Sequence, residues 1–208
     1  MSASPQDLMT AKLFFNAAFP TMQVLLDDDP KLHKKFQNFN ATVQFGAMND
    51  GELLCCHLIF QNGNLTVVQG PAEKSDISLT FSSVEKMNSL LKGGLSLPSI
   101  KGNLSLLPNV LSILMGLKIM TKPNDKLKND TEKLLKVKCS LYMITRALSQ
   151  YNKLGNPDMQ EFCRRQPDRI YQFQVEHDGQ PDYIACYLRV KAGQSIKEDG
   201  PVWHMSKQ

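Results

Sequence analysis

Residues 41 to 120 decide the fold: ATVQF (41–45), LLCCHLIF (53–60), LTVV (65–68) and ISLTF (77–81), then the apolar run LSLLPNVLSILMGLKIM (104–120). The four short runs are rich in β-branched and aromatic residues, and Asn49-Asp50-Gly51 and Asn62-Gly63-Asn64 supply tight-turn chemistry between the first three. They predict a three-strand meander followed by a fourth strand. The last run differs in kind. It is about 17 residues long, broken by Pro108, Gly116 and Lys118, and falls short of the roughly 20 apolar residues that a membrane span requires. Read as a helix starting near Pro108, it brings Val110, Leu111, Leu114, Leu117 and Met120 near one another, while Ile113 and Ile119 widen the apolar surface. Such a helix either packs as core under the sheet or lines a cavity for something apolar.

The flanking segments carry helix signals. Residues 6 to 37 are predicted helical, with breaks at Pro20 and Pro30; Leu13, Phe14, Ala17 and Ala18 form a stripe that Leu25, Leu26, Leu32, Phe36 and Phe39 continue. Of the three aspartates 27 to 29, Asp29 is the expected cap, with Pro30 in the first turn. Ser82-Ser83-Val84-Glu85 opens a short helix through Leu91, which Gly93-Gly94 ends.

Composition narrows the class. With 208 residues, 42% hydrophobic and 21% charged, the chain has the make-up of a globular protein of one large or two small domains, which excludes disorder and collagen-like repeats. The formal charge of +4, from 24 basic and 20 acidic residues, is too small and too scattered for a nucleic-acid binder, so no nucleic-acid partner is expected. Cys55, Cys56, Cys139, Cys163 and Cys186 form an odd set without framework spacing and read as buried thiols of a reducing compartment. The first residues lack a basic start, an apolar middle and a small-residue cleavage site, so the expected location is cytoplasmic.

No constellation points to catalysis. His33, His57, His177 and His204 are dispersed, and none has metal-ligand spacing with cysteine or acid. Cys56 and His57 are neighbours on a strand, so their side chains take opposite faces and cannot act as nucleophile and base. Three consecutive aspartates diverge and do not make a metal site. Gly93-Gly94 and Gly102-Asn103 lack the lysine and hydroxyl of a phosphate-binding loop. Arg164 and Arg165, with Arg169 and Arg146, form the one compact arginine group, a candidate for transient contact with a membrane surface or an anionic partner. We therefore expect no catalytic residue, no metal and no cofactor.

Taken in order, the meander, ISLTF, a helix opening SSVEKM (82–87), the LLKGG closure (90–94), a short strand before KGN (101–103) and an apolar helix resemble the sterol carrier protein type-two domain over residues 30 to 120. Phe45 with Asn49-Asp50-Gly51 resembles that family's first hairpin, Asn62-Gly63 its next turn, and Asp76-Ile77-Ser78-Leu79-Thr80 its fourth strand. Leu90, Leu91 and Gly93 are similar to its helix-to-glycine ending. The family has an extra helix after that glycine, where this chain has only LSLPSI (95–100). The resemblance implies a noncatalytic apolar pocket between sheet and helices, which accepts sterols, acyl chains, phospholipids or prenyl tails with little selectivity.

The last third repeats part of the first. After TKPNDKLKND (121–130) a long helix is predicted from Thr131 to Leu154, with Leu134, Leu135, Leu141, Ile144, Leu148 and Tyr151 as its stripe, stopped by Gly155-Asn156-Pro157. A second meander then copies the first: Val43-Gln44-Phe45 corresponds to Tyr171-Gln172-Phe173, Asn49-Asp50-Gly51 to His177-Asp178-Gly179, Cys56-His57-Leu58 to Cys186-Tyr187-Leu188, Gly63 to Gly193 and Gly70-Pro71 to Gly200-Pro201. The offset is 128 before the first turn and 130 after it, with Gln180 and Pro181 as the two extra residues. The copy, over residues 169 to 201, is expected to lack a fourth strand and closing helix, so its open edge and Trp203 point to a homodimer or to pairing with the first module.

The expected fold class is α+β: a predominantly antiparallel sheet of about five strands covered by helices, plus a long helix and a second β-meander. Residues 1–122 are expected to form the lipid-binding domain and 123–208 the helix and partial repeat. The predicted function is noncatalytic binding or transfer of a lipid, with an acyl, sterol-like or prenyl tail as the partner. Phe45, Leu58, Phe60, Leu79 and Phe81 would line the pocket from the sheet. Leu107, Leu111, Leu114 and Met115 would line it from the helix. The alternative is a ligand-free accessory protein that dimerises or supports an enzyme acting on lipophilic substrates.

Overall fold

Asp50 and Asn62 take positive φ, 51° and 50°, ahead of Gly51 and Gly63, which is the left-handed pair that suits the twist of a tight hairpin. As a result β1 (Ala41–Asn49), β2 (Glu52–Gln61) and β3 (Asn64–Gln69) form an antiparallel meander. β4 (Ile77–Phe81) crosses to the far side of β1 and pairs with it in parallel, and β5 (Ser99–Gly102) adds antiparallel to β4. The order is β3-β2-β1-β4-β5, a mixed α+β sheet with a single parallel pair. The computed structural model describes residues 2–176, 183–190 and 203–207.

Strand alternation puts one face of this sheet inward. Val43 lies between Leu58 and Ile77, and Phe45 between Cys56 and Leu79, all of them buried. The parallel junction is closed at its start by Asp76. The Asp76 amide donates to the Thr42 carbonyl at 2.8 Å, its carboxylate accepts from the Thr42 amide at 2.7 Å, and its carbonyl accepts from the Asn103 amide at 2.8 Å. Gly102, at φ 100°, passes so close to the Asp76 carbonyl that a Cβ there would collide with it. The aspartate before ISLTF and the glycine of KGN thus serve one junction.

Helices cover the inward face. α1 (Pro5–Leu13) is capped by Ser4, whose hydroxyl accepts from the Asp7 amide, and α3 (Pro30–Phe36) by Asp29, which accepts from the Lys31 and Leu32 amides. α2 (Phe19–Asp28) buries Phe19, Met22, Leu25 and Leu26. The expected break at Pro20 does not occur. A π-helical turn, Phe14–Ala18, runs into α2 with Pro20 at its start, where the missing proline N–H costs least. Ala17 and Ala18 of the predicted stripe are buried, but Phe15 and Phe19 replace Leu13 and Phe14 beside them. α4 (Val84–Leu91) follows the Ser83 cap and ends where Gly93 takes φ 94°.

The chain divides into two compact units, 1–135 and 136–208. α6 (Asp130–Lys153) starts in the first and continues into the second. In the second unit, α7 (Pro157–Arg165) is a helix that the sequence did not predict; Asn156 caps it, accepting from the Met159 amide. Strands β6 (Arg169–Glu176), β7 (Tyr183–Val190) and β8 (Trp203–Lys207) form an antiparallel sheet. The register repeats that of the first hairpin: Phe173 faces Cys186 as Phe45 faces Cys56, and Tyr171 faces Leu188 as Val43 faces Leu58. Cys163, Leu188 and Val190 make its core, with Leu148, Met159 and Tyr171 against them. The repeat positions His177, Asp178, Gly179, Gln180, Pro181, Gly193, Gly200 and Pro201, and the side chain of Trp203, lie outside the described residues. The strand at Trp203–Lys207 is the third of this second meander.

Asp76→Ala should lower stability by about 1 kcal/mol, because the carboxylate bond is partly exposed, whereas Asp76→Asn keeps an acceptor and should cost less. Gly102→Ala should cost about 1–3 kcal/mol through its backbone angle and the Asp76 contact. Urea unfolding midpoints measure both; an unchanged midpoint for Gly102→Ala would contradict the junction described above.

Candidate functional site

The five sheet residues predicted to line a pocket, Phe45, Leu58, Phe60, Leu79 and Phe81, share the inward face, and all are buried. Helix aromatics occupy that face. Phe19 meets Phe45 edge-on, with centroids 5.2 Å apart and planes at 88°, and Phe45 in turn lies against Phe81 at 5.5 Å with the rings tilted by 54°. At the other end Phe36 and Phe39 hold Phe60 between centroid distances of 5.3 and 5.5 Å. Phe19 was absent from the predicted stripe, because the π turn changes the phase of the helix before it reaches α2.

The apolar run forms α5 (Leu107–Gly116) between two 3-10 turns, Leu104–Leu106 and Leu117–Thr121. This helix rests on α2 and α3. It comes close to both at Gly116, where a Cβ would stand 2.9 Å from Leu25 Cδ1 and 3.1 Å from Leu32 Cδ1. The Lys35 ammonium donates to the Pro108 carbonyl at 3.0 Å and also to the Ser112 hydroxyl, tying α3 to α5.

The phase of α5 corrects the predicted helix lining. Val110 and Ile113 are the buried residues, and Leu107 and Leu114 are half-buried. Leu111, 46% exposed, and Met115, 55% exposed, point outward with Leu104, 61% exposed. The five predicted sheet residues therefore share the buried inward face, while two of the four predicted helix residues face away from the interior. The physical reason is that the run is apolar all round, so the contact at Gly116, rather than composition, selects the inward face. Contrary to the sequence expectation, Leu104–Thr121 is long and apolar enough by length and composition to cross a membrane, and little of it is buried.

Polar groups offer little chemistry here. Cys56 is fully buried, and desolvation, with the neighbouring Cys55 thiol, pushes its pKa up, away from a reactive thiolate. His57 Nδ1 lies 3.0 Å from the Gly70 carbonyl, on the opposite face of the strand. Among the described residues, no three His, Cys, Asp or Glu side chains gather as a metal site. Much of the arginine group is engaged locally in the second unit. Arg164 and Arg165 both pair with Glu161 one turn earlier on α7, at 2.5 and 2.7 Å, and the Arg146 guanidinium lies 4.5 Å from the Tyr142 ring centroid.

No protein-family model and no curated protein matches the chain. Solved structures similar to it include the following two. The solution structure of the sterol carrier protein domain 2 of Helicoverpa armigera shares 19% identity, with 56% of this chain and 94% of that one covered, at a TM-score of 0.37. The UbiJ-SCP2 ubiquinone synthesis protein shares 13% identity, with 54% and 97% covered, at a TM-score of 0.37. At this level of superposition neither likeness bears on ligand or activity.

Gly116→Val should push α5 away from Leu25 and Leu32 and cost about 1–3 kcal/mol. Gly116→Ala should cost little, because two flexible leucine tips can yield and alanine favours the helix by about 1 kcal/mol over glycine. Thermal melts distinguish the two. Equal stability of both variants would mean that α5 does not lie tightly on α2 and α3.

Proposed function

We propose that the first unit binds or transfers a hydrophobic lipid, with an acyl, sterol-like or prenyl tail, without catalysis, in the apolar layer beneath α5. The observation that carries this reading is the placement of α5. It is apolar on both faces, rests on two helices with a close contact at Gly116, and leaves Leu111 and Met115 exposed. Such a cover can lift from Leu25, Leu32 and the Phe36–Phe60 cluster and exchange its inward contacts for those of a tail.

Burying a methylene contributes about 0.8 kcal/mol, so roughly a dozen carbons offer close to 10 kcal/mol. Association costs of ~4 kcal/mol or more leave about 6 kcal/mol, a dissociation constant of tens of micromolar with no specific polar contact. Low selectivity follows from the same arithmetic.

A second reading has its own support. The aromatic packing of Phe19 on Phe45, and of Phe36 and Phe39 on Phe60, already fills the sheet face, as it would in a ligand-free accessory protein. Fluorescent fatty-acid titration separates the two. On the lipid reading the native protein binds one tail per chain with half-saturation at tens of micromolar, and Ile113→Trp, which enlarges the buried side chain on the inward face of α5, weakens uptake several-fold. Absence of saturable binding by a folded protein favours the accessory reading.

A further inference from the structure

We propose that the outward stripe of α5 docks on the surface of a bilayer containing anionic lipid. Leu104, Pro108, Leu111, Met115 and Lys118 follow one another at helical spacings of three or four residues, and all are exposed. Leu104, Leu111 and Met115 are among the most exposed large apolar side chains of the first unit. The stripe is thus apolar for three turns and then cationic.

Charge selects the partner. Between Glu85 and Asp125 the chain has no acidic residue, and residues 86 to 129 contain seven lysines against Asp125 alone. The whole protein is only +4, so basic charge is concentrated in the stretch of sequence that contains α5. Lys118 and Lys126 have no carboxylate partner among the described residues, whereas Lys122 is paired with Glu132 at 2.6 Å. Exposed leucine and methionine beside unpaired lysines match the layered chemistry of an anionic membrane surface, with acyl chains beneath phosphate and carboxylate headgroups. The arginine group, by contrast, spends two guanidinium groups on Glu161.

The helix would lie on the membrane and not cross it. Crossing would require Lys118 to enter the hydrocarbon and would strip Val110 and Ile113 from the protein interior, along with the Lys35 bonds to Pro108 and Ser112. Docking through the outward stripe keeps all of these contacts. It also stands apart from what the interior binds, because the inward and outward residues of α5 do not overlap.

The test is co-sedimentation of the full chain with vesicles of phosphatidylcholine alone and of phosphatidylcholine mixed with phosphatidylserine. The native protein should sediment with the mixed vesicles, more weakly as salt rises, and leave with carbonate washing. Leu111→Asn combined with Met115→Gln should weaken this binding about tenfold. Lys118→Gln and Lys126→Gln should each weaken it about fivefold and erase part of the preference for phosphatidylserine. These positions are exposed, so unchanged melting curves are expected, and the lysine pair tests the proposal even should the apolar pair misfold. Fatty-acid uptake without vesicles should survive in all four substitutions, which separates failure of docking from failure of the lipid reading. Equal sedimentation with both vesicles, none with either, resistance to carbonate, or wild-type binding by the lysine variants would overturn the proposal.

Discussion

The parallel register between β1 and β4 is the constraint from which the first unit hangs. β1 is bonded on both sides, so its inward residues Val43, Phe45 and Ala47 find neighbours on β2 and β4 alike. Asp76 sets where that register begins, and Gly102 returns β5 to the same point, from which the chain enters α5. A slip of one residue would turn Ile77, Leu79 and Phe81 to the outer face. The glycine and aspartate of the two short motifs thus act on backbone geometry, and neither needs a ligand to explain it.

That geometry determines what α5 can do. The chain leaves β5 at the sheet edge and runs to helices α2 and α3, so the most apolar segment of the protein forms an outer layer over helices that already cover the sheet. An interior helix with the same composition would be surrounded. Here only Val110 and Ile113 are fully enclosed, and the rest of the segment keeps apolar area free for a guest or a surface. The proposed function and the proposed docking both follow from this one displacement.

Much of the fold was legible because it rests on local rules. Asn49-Asp50-Gly51, Asn62-Gly63, the Asp29 and Ser83 caps and the Gly93 ending each need a particular backbone angle or hydrogen bond, and few residue types supply it. The second hairpin was legible by comparison with the first, down to the pairing of Phe173 with Cys186. Three features were not. The π turn before Pro20 depends on tertiary packing, and α7 is too short and polar to show a strong apolar period. The inward face of α5 could not be read from a run that is apolar on every side. Gly116 was the available signal, since a glycine inside an apolar helix marks close approach, but the sequence did not say to what. For the candidate lining residues, the buried face of the sheet was therefore readable from strand alternation, and the facing of Leu111 and Met115 on α5 was not.

The central claim is that α5 is a removable cover over an apolar layer that admits a guest. Native mass spectrometry of the gently purified full chain tests it most directly. The account predicts a bound species heavier than the polypeptide by the mass of one lipid, lost on mild activation. A homogeneous chain or stoichiometric oligomer with no adduct, still so after incubation with a fatty acid, would contradict it.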